Sequence, residues 1–186
     1  MKLIPTELAD VFVLSPKAHK DARGFFMETW RDDWGKKIRL DPPFVQDNHA
    51  CSMERGVLRG LHFQAPPHAQ AKLVWAVRGA VYDVAVDLRV GSPTYGRWHG
   101  EVLSAENMLR LYVPKGFAHG YLTLEPETEV LYKVNEYYAP AHEGGIRWDD
   151  PGLSIPWPNI SPILSEKDKL YPLMETFVSP FAYREK

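Results

Sequence analysis

The chain has 186 residues, 45% of them apolar and 12% aromatic, which suits one domain over residues 1–186 with a sizeable core. A formal net charge of −2 excludes an overall basic field for nucleic acid or an anionic membrane, so any anion site must be a local cluster of Arg, Lys and His. The single cysteine, Cys51, excludes an intrachain disulfide framework and a multi-cysteine zinc site. With no targeting segment and no apolar run of membrane-spanning length, the reading is of a cytoplasmic chain.

The first turn signal is Asp21-Ala22-Arg23-Gly24, followed by a short helical pattern over 28–37 and a turn at Arg55-Gly56. Strands are clearest over 73–77 and 81–88, joined at Arg78-Gly79. Segments 109–113, 117–124 and 129–134 continue the pattern, with turns at Val90-Gly91-Ser92-Pro93, Pro114-Lys115-Gly116 and Glu125-Pro126. The last third carries Pro140, Pro151, Pro156, Pro158, Pro162 and Pro172 but interleaves Trp148 and Trp157, so it reads as ordered chain wrapping the core. A second short helix is expected after Ser165. Many short strands at regular turn spacing imply an all-β barrel or sandwich with a few short helices.

Reactive side chains concentrate in three places: Arg59-Gly60-Leu61-His62-Phe63-Gln64 with Lys72 soon after, Pro114-Lys115-Gly116-Phe117-Ala118-His119-Gly120, and Leu131-Tyr132-Lys133. The second resembles half of a cupin metal site. The other half is broken, because Phe63 and Gln64 follow His62, and Lys72 stands where a carboxylate ligand is wanted. Two histidines and an ammonium make a poor cation site, which points to a cupin-type barrel, or jelly roll, without metal. Such a set suits proton transfer beside a carbonyl: a His base, a Lys cation for the enolate oxygen, and a Tyr acid on the opposite face. Period-two alternation puts Tyr132 on one face with Val130 and Val134, hence inward, where a plain core tyrosine is the other reading. Two carboxylates could orient the base. Asp168 could do so, although Ser165-x-x-Asp168 also reads as a helix cap, and so could Asp83, whose face the sequence leaves open. Arg59 and His62, three apart, would face opposite ways on a regular strand, so both can reach one pocket only through a bulge or kink at Gly60.

Val45-Gln46-Asp47-Asn48-His49, the Arg59–Gln64 and Pro114–Gly120 segments, and Gly145-Ile146-Arg147-Trp148-Asp149-Asp150-Pro151 together closely resemble the dTDP-4-dehydrorhamnose 3,5-epimerases, with motifs in order from about Arg23 to Asp168. The resemblance implies a cupin-type homodimer that uses neither metal nor other cofactor and acts on a dTDP-4-keto-6-deoxyhexose. His62 would be the base, Tyr132 the acid, Asp168 the partner of His62, and Lys72 the group stabilising the enolate. Gln46, Asn48, Arg59 and His119 would contact substrate. Arg23, Phe25 and Glu28 would serve the nucleotide end of the partner subunit's site, Tyr138 would stack on the base, and Glu143 and Lys167 would add nucleotide-side contacts. Sister enzymes that epimerise one carbon or isomerise the ketone share this pattern. A metal cupin and a non-catalytic sugar-nucleotide binder are the rival classes.

Overall fold

The computed structural model describes residues 1–40 and 42–184. Two antiparallel sheets face each other. The first runs in the order β1 (Lys2–Pro5), β2 (Phe12–Ser15), β10 (Arg110–Val113), β7 (Lys72–Arg78), β12 (Thr128–Val134), β5 (Gln46–Ser52). The second runs β13 (Glu143–Gly145), β6 (Leu58–Gln64), β11 (Phe117–Thr123), β8 (Ala80–Asp87), β9 (Trp98–Ser104). A separate hairpin pairs β3 (Ala18–Asp21) with β4 (Gly24–Met27). The fold is the expected all-β, cupin-type jelly roll.

Alternation along each strand sorts the side chains into layers. Val74, Leu111 and Val130 from the first sheet meet Val81, Ala85, Leu103 and Phe117 from the second in one buried core. The outer face of the first sheet, with Leu14, Leu73, Trp75 and Tyr112, is covered by Trp30, Ile38, Leu40 and Phe44. The outer face of the second carries Leu61, Phe63, Val84, Val86 and Ala118, covered by Leu153, Ile155, Trp157, Met174, Phe177 and Phe181. The Pro-rich last third is therefore ordered wrapping, as its aromatics imply. The indoles bind it by donating to backbone: Trp98 Nε1 to the Leu153 carbonyl and Trp157 Nε1 to the Trp148 carbonyl, each at 2.8 Å.

Two helical expectations are corrected. The helix expected over 28–37 is shorter, α1 (Asp32–Lys37), with acidic residues in its first turn and basic residues in its last, each suited to the helix dipole. It begins late because β4 occupies the chain to Met27 and Trp30 packs against Phe44, ring centroids 4.7 Å apart. After Ser165 there is no helix but a run of turns. Pro172 lies too close to let a helix propagate, since it lacks an N–H and disfavours helical backbone at the preceding residue.

The irregularity expected at Gly60 is present. His119 pairs with His62 and Tyr121 pairs with Arg59, so two residues of β11 span three of β6. Gly60 has φ +147°, and a Cβ there would lie 2.5 Å from the Cα of Gly120. Only glycine fits, and the kink lets Arg59 and His62 share the inner face. We expect Gly60→Ala to lose about 3 kcal/mol in urea denaturation, whereas Gly91→Ala (φ +86°, open space around it) should lose only about 1 kcal/mol.

Candidate active site

The open end of the barrel holds a cavity of about 590 Å³ lined by Arg59, His62, Lys72, His119, Tyr121, Tyr132, Lys167 and Asp168, among others. A smaller cavity of about 310 Å³ shares His62, Lys72 and Tyr132 with it and adds Gln46, Asn48, Gln64, Tyr138 and Glu143. His62 comes from the second sheet, whereas Lys72 and Tyr132 come from the first, so the reactive groups stand on opposing walls. Tyr132 packs against the core that contains Val130, as the alternation required.

His62 Nε2 lies 2.5 Å from Asp168 Oδ1, in a pair whose side chains are 24% and 4% exposed. Burial raises the Asp168 pKa, but the hydrogen bond and charge of His62, followed by the Ser165 contact, outweigh it and hold the carboxyl below its ordinary value. An ionised Asp168 can only accept, which assigns the proton to Nε2 and leaves Nδ1 as the basic nitrogen. The Ser165 hydroxyl also accepts from the Asp168 N–H at 3.2 Å. Ser165 thus caps a turn as its spacing suggested, and that turn presents Asp168 to His62.

Asp83 is not the partner of His62. It faces inward with Val81 and Ala85, and both of its carboxylate oxygens lie 3.0 Å from His119 Nε2. Burial lowers the His119 pKa, Asp83 opposes that shift, and the nearby charges of Lys72 and His62 reinforce it. Lys72 is driven down to about 8 by burial, against the attraction of Asp83 and Glu143. Tyr132 is shifted up by burial, with Arg59 pulling the other way and Glu143 adding to the rise. At neutral pH the cavity therefore offers an ammonium on Lys72 and a protonated phenol on Tyr132.

The residues assigned to the nucleotide side form one connected bridge. Tyr138 donates its hydroxyl to Glu143 Oε2 at 2.9 Å, and Lys167 Nζ donates to Glu143 Oε1 at 2.6 Å. Within β5, Gln46 Nε2 donates to Asn48 Oδ1 at 2.8 Å. Arg59 reaches towards the Ser52 hydroxyl and the Cys51 carbonyl, each at 3.5 Å. Arg23, Phe25 and Glu28 are not brought to these cavities. Arg23 and Phe25 sit on the β3–β4 hairpin, where the Arg23 side chain is 89% exposed and Phe25 is 57% exposed. Glu28 follows the hairpin and approaches Arg31 at 3.4 Å.

Tyr121 is a cavity residue that the sequence reading missed, although it lies two residues after His119 and hence on the same face. Burial pushes its hydroxyl up to about 12. Among the described residues no group of three or more His, Cys, Asp or Glu side chains could hold a metal ion. The two cavity histidines instead direct Nε2 at separate carboxylates, with Lys72 near both. What this arrangement suits is proton transfer beside a carbonyl whose oxygen becomes negative.

Comparison with known proteins agrees with this chemistry. Residues 5–176 match the family model described as dTDP-4-dehydrorhamnose 3,5-epimerase. The enzyme of that name from Sinorhizobium fredii is 47% identical over 177 residues, covering 95% of this chain and 91% of its own. A Bacillus anthracis dTDP-4-dehydrorhamnose 3,5-epimerase crystallised with TDP and PPi superposes with a TM-score of 0.89 at 50% identity, covering 93% of this chain and 99% of the other. A Legionella pneumophila dTDP-6-deoxy-D-glucose-3,5-epimerase in complex with dTDP-4-keto-L-rhamnose gives 0.94 at 39% identity, covering 99% of each chain. With this architecture and this set of paired side chains, the chain belongs to the dTDP-4-dehydrorhamnose 3,5-epimerase family.

Proposed function

We propose that this chain inverts C3 and C5 of dTDP-4-dehydro-6-deoxy-D-glucose, giving dTDP-4-dehydro-L-rhamnose, by acid–base proton transfer that needs no metal or other cofactor. The observation that carries the reading is the His62–Asp168 pair set across one cavity from Tyr132, with Lys72 beside both. The C4 ketone acidifies the protons on both flanking carbons. His62 Nδ1 takes the proton from C3 or C5, and the bond electrons move onto O4. The Lys72 ammonium stabilises that enolate oxygen. As the enolate collapses, Tyr132 delivers its hydroxyl proton to the opposite face, leaving an inverted carbon, a tyrosinate and an imidazolium. Arg59 favours the tyrosinate, and Asp168 stabilises the imidazolium. Exchange with water returns both groups to their starting states before the second carbon reacts.

The Tyr138–Glu143–Lys167 bridge would meet the nucleotide, with the Tyr138 ring stacking on the base. Arg23, Phe25 and Glu28 would complete the same end of a partner subunit's site in a homodimer. Their exposed position away from the two cavities that His62 lines supports that reading. No helix is long and apolar enough to cross a membrane among the described residues. The nucleotide sugar is the expected partner beside the second subunit.

The direct test follows deuterium incorporation by NMR when the protein, stripped of metal by a chelator, meets dTDP-4-keto-6-deoxyglucose in heavy water. Label is expected at both C3 and C5. Label at one carbon would make this a mono-epimerase with the same base and acid, and no label would sink the reading. His62→Ala should lower exchange at both carbons by about 10³-fold while dTDP binding persists, and Tyr132→Phe should impair inversion more than exchange. In the free enzyme Lys72 carries its charge below about pH 8 and loses it above, so kcat/KM should fall as pH rises through about 8. Lys72→Arg, which stays charged, should shift that alkaline limb upward even as it lowers the rate, and an unmoved limb would assign the titration to another group. Arg23→Ala should raise KM with little change in kcat, since it removes binding remote from the reacting carbons.

A further inference from the structure

Tyr171 belongs to none of the motifs that mark the site, yet its ring touches the proposed base. The Tyr171 and His62 ring centroids are 5.6 Å apart with planes at 64°, an edge-on contact. Tyr171 lies only three residues beyond Asp168, so one short run of turns supplies His62 with both a carboxylate and an aromatic edge. That run is closed by the Leu170 N–H donating to the Lys167 carbonyl at 3.1 Å, and it is pinned beyond the ring by the Arg147 N–H donating to the Pro172 carbonyl at 3.0 Å. The tyrosine ring also lies against the backbone of Gly145, the strand partner of His62. A Cβ on Gly145 would come within 2.6 Å of Tyr171 Cε2, so the absence of a side chain there makes room for the ring.

The geometry needs such a second contact. A hydrogen bond at Nε2 fixes one atom of the imidazole, but the ring can still turn about the line to Asp168, because the terminal torsion of histidine is broad. Turning would swing Nδ1 away from the carbons it must serve. Misplacing a reacting group by about 1 Å costs on the order of 100-fold in rate. An aromatic edge on one side, itself backed by Gly145, removes that freedom without competing for either ring nitrogen.

We propose that Tyr171 is a positioning residue for the epimerisation, its ring edge fixing the plane of the His62 imidazole so that Nδ1 meets C3–H and C5–H. The inference rests on His62 being the base. Full-length Tyr171→Phe, Tyr171→Leu and Tyr171→Ala are compared with wild type in the heavy-water exchange assay and in steady-state kinetics. Tyr171→Phe keeps the ring and should retain kcat within about twofold, whereas Tyr171→Ala should lose about 10-fold or more in kcat with KM little changed. Tyr171→Leu keeps apolar bulk over Gly145 and guards against misfolding of the smaller variant; it should also lose kcat severalfold at an unchanged Tm. Nitrogen-15 NMR of the His62 ring should show one sharp Nε2–H tautomer in wild type and Tyr171→Phe, and exchange broadening in Tyr171→Ala. Wild-type kcat in both Tyr171→Ala and Tyr171→Leu would overturn the proposal, as would a loss confined to KM or an equal loss in Tyr171→Phe. Those results leave wild-type exchange intact and so spare the reading of His62. An absence of label with wild-type protein would overturn both.

Discussion

The hydrogen bond between His62 and Asp168 joins two parts of the molecule that are 106 residues apart in the chain. One is a strand of the barrel, and the other is a turn in the Pro-rich segment that wraps it. The wrap has its own apolar reason to pack, since Leu153, Trp157, Met174, Phe177 and Phe181 cover the second sheet. That packing carries Ser165 and Asp168 to the mouth of the cavity, where the carboxylate selects the histidine tautomer. Stability and chemistry therefore rest on the same docking of chain onto sheet.

The interior of the barrel also has to hold charge. Asp83 is wholly buried and His119 is nearly so, and each would be costly there alone. They satisfy each other, and Asp83 also offsets part of the burial cost that depresses Lys72. Lys72 thus remains an ammonium at neutral pH on the wall of the cavity, where the proposed reaction would place its enolate oxygen. Tyr132 is held in the complementary condition, protonated and partly desolvated. Burial acts on all these groups in the same direction, against charge. The individual partners then decide which groups keep it.

Much of the site was legible in the sequence because strands have a period of two. Val130, Tyr132 and Val134 declared one face, and the cluster of Arg59, His62, Lys72, His119 and Tyr132 declared a shared destination. The demand for a kink at Gly60 followed from spacing alone and is met by the shifted register between β6 and β11. Other features were not legible for equally physical reasons. The strand β5, Gln46 to Ser52, is polar except for Ala50 and Cys51, and it pairs because β12 offers it an open edge, not because its residues favour strands. The run after Ser165 carries a helix-start signal, but Pro172 and the carboxylate's engagement with His62 leave it as turns.

By itself, the sequence determined the fold class, the residue types available for chemistry and the strand faces on which most of them lie. These follow from local rules: turn residues, alternation, and the unsuitability of a lysine among metal ligands. Those local rules left open which carboxylate serves which histidine, and it is the tertiary structure that turns Asp83 to His119 and Asp168 to His62 and sets Tyr171 against the His62 ring. It also sets Arg23, Phe25 and Glu28 apart from the cavities that His62 lines. Such choices depend on which distant segments meet when two sheets and their coverings pack, and hydrogen-bond partners across 36 or 106 residues leave no local trace.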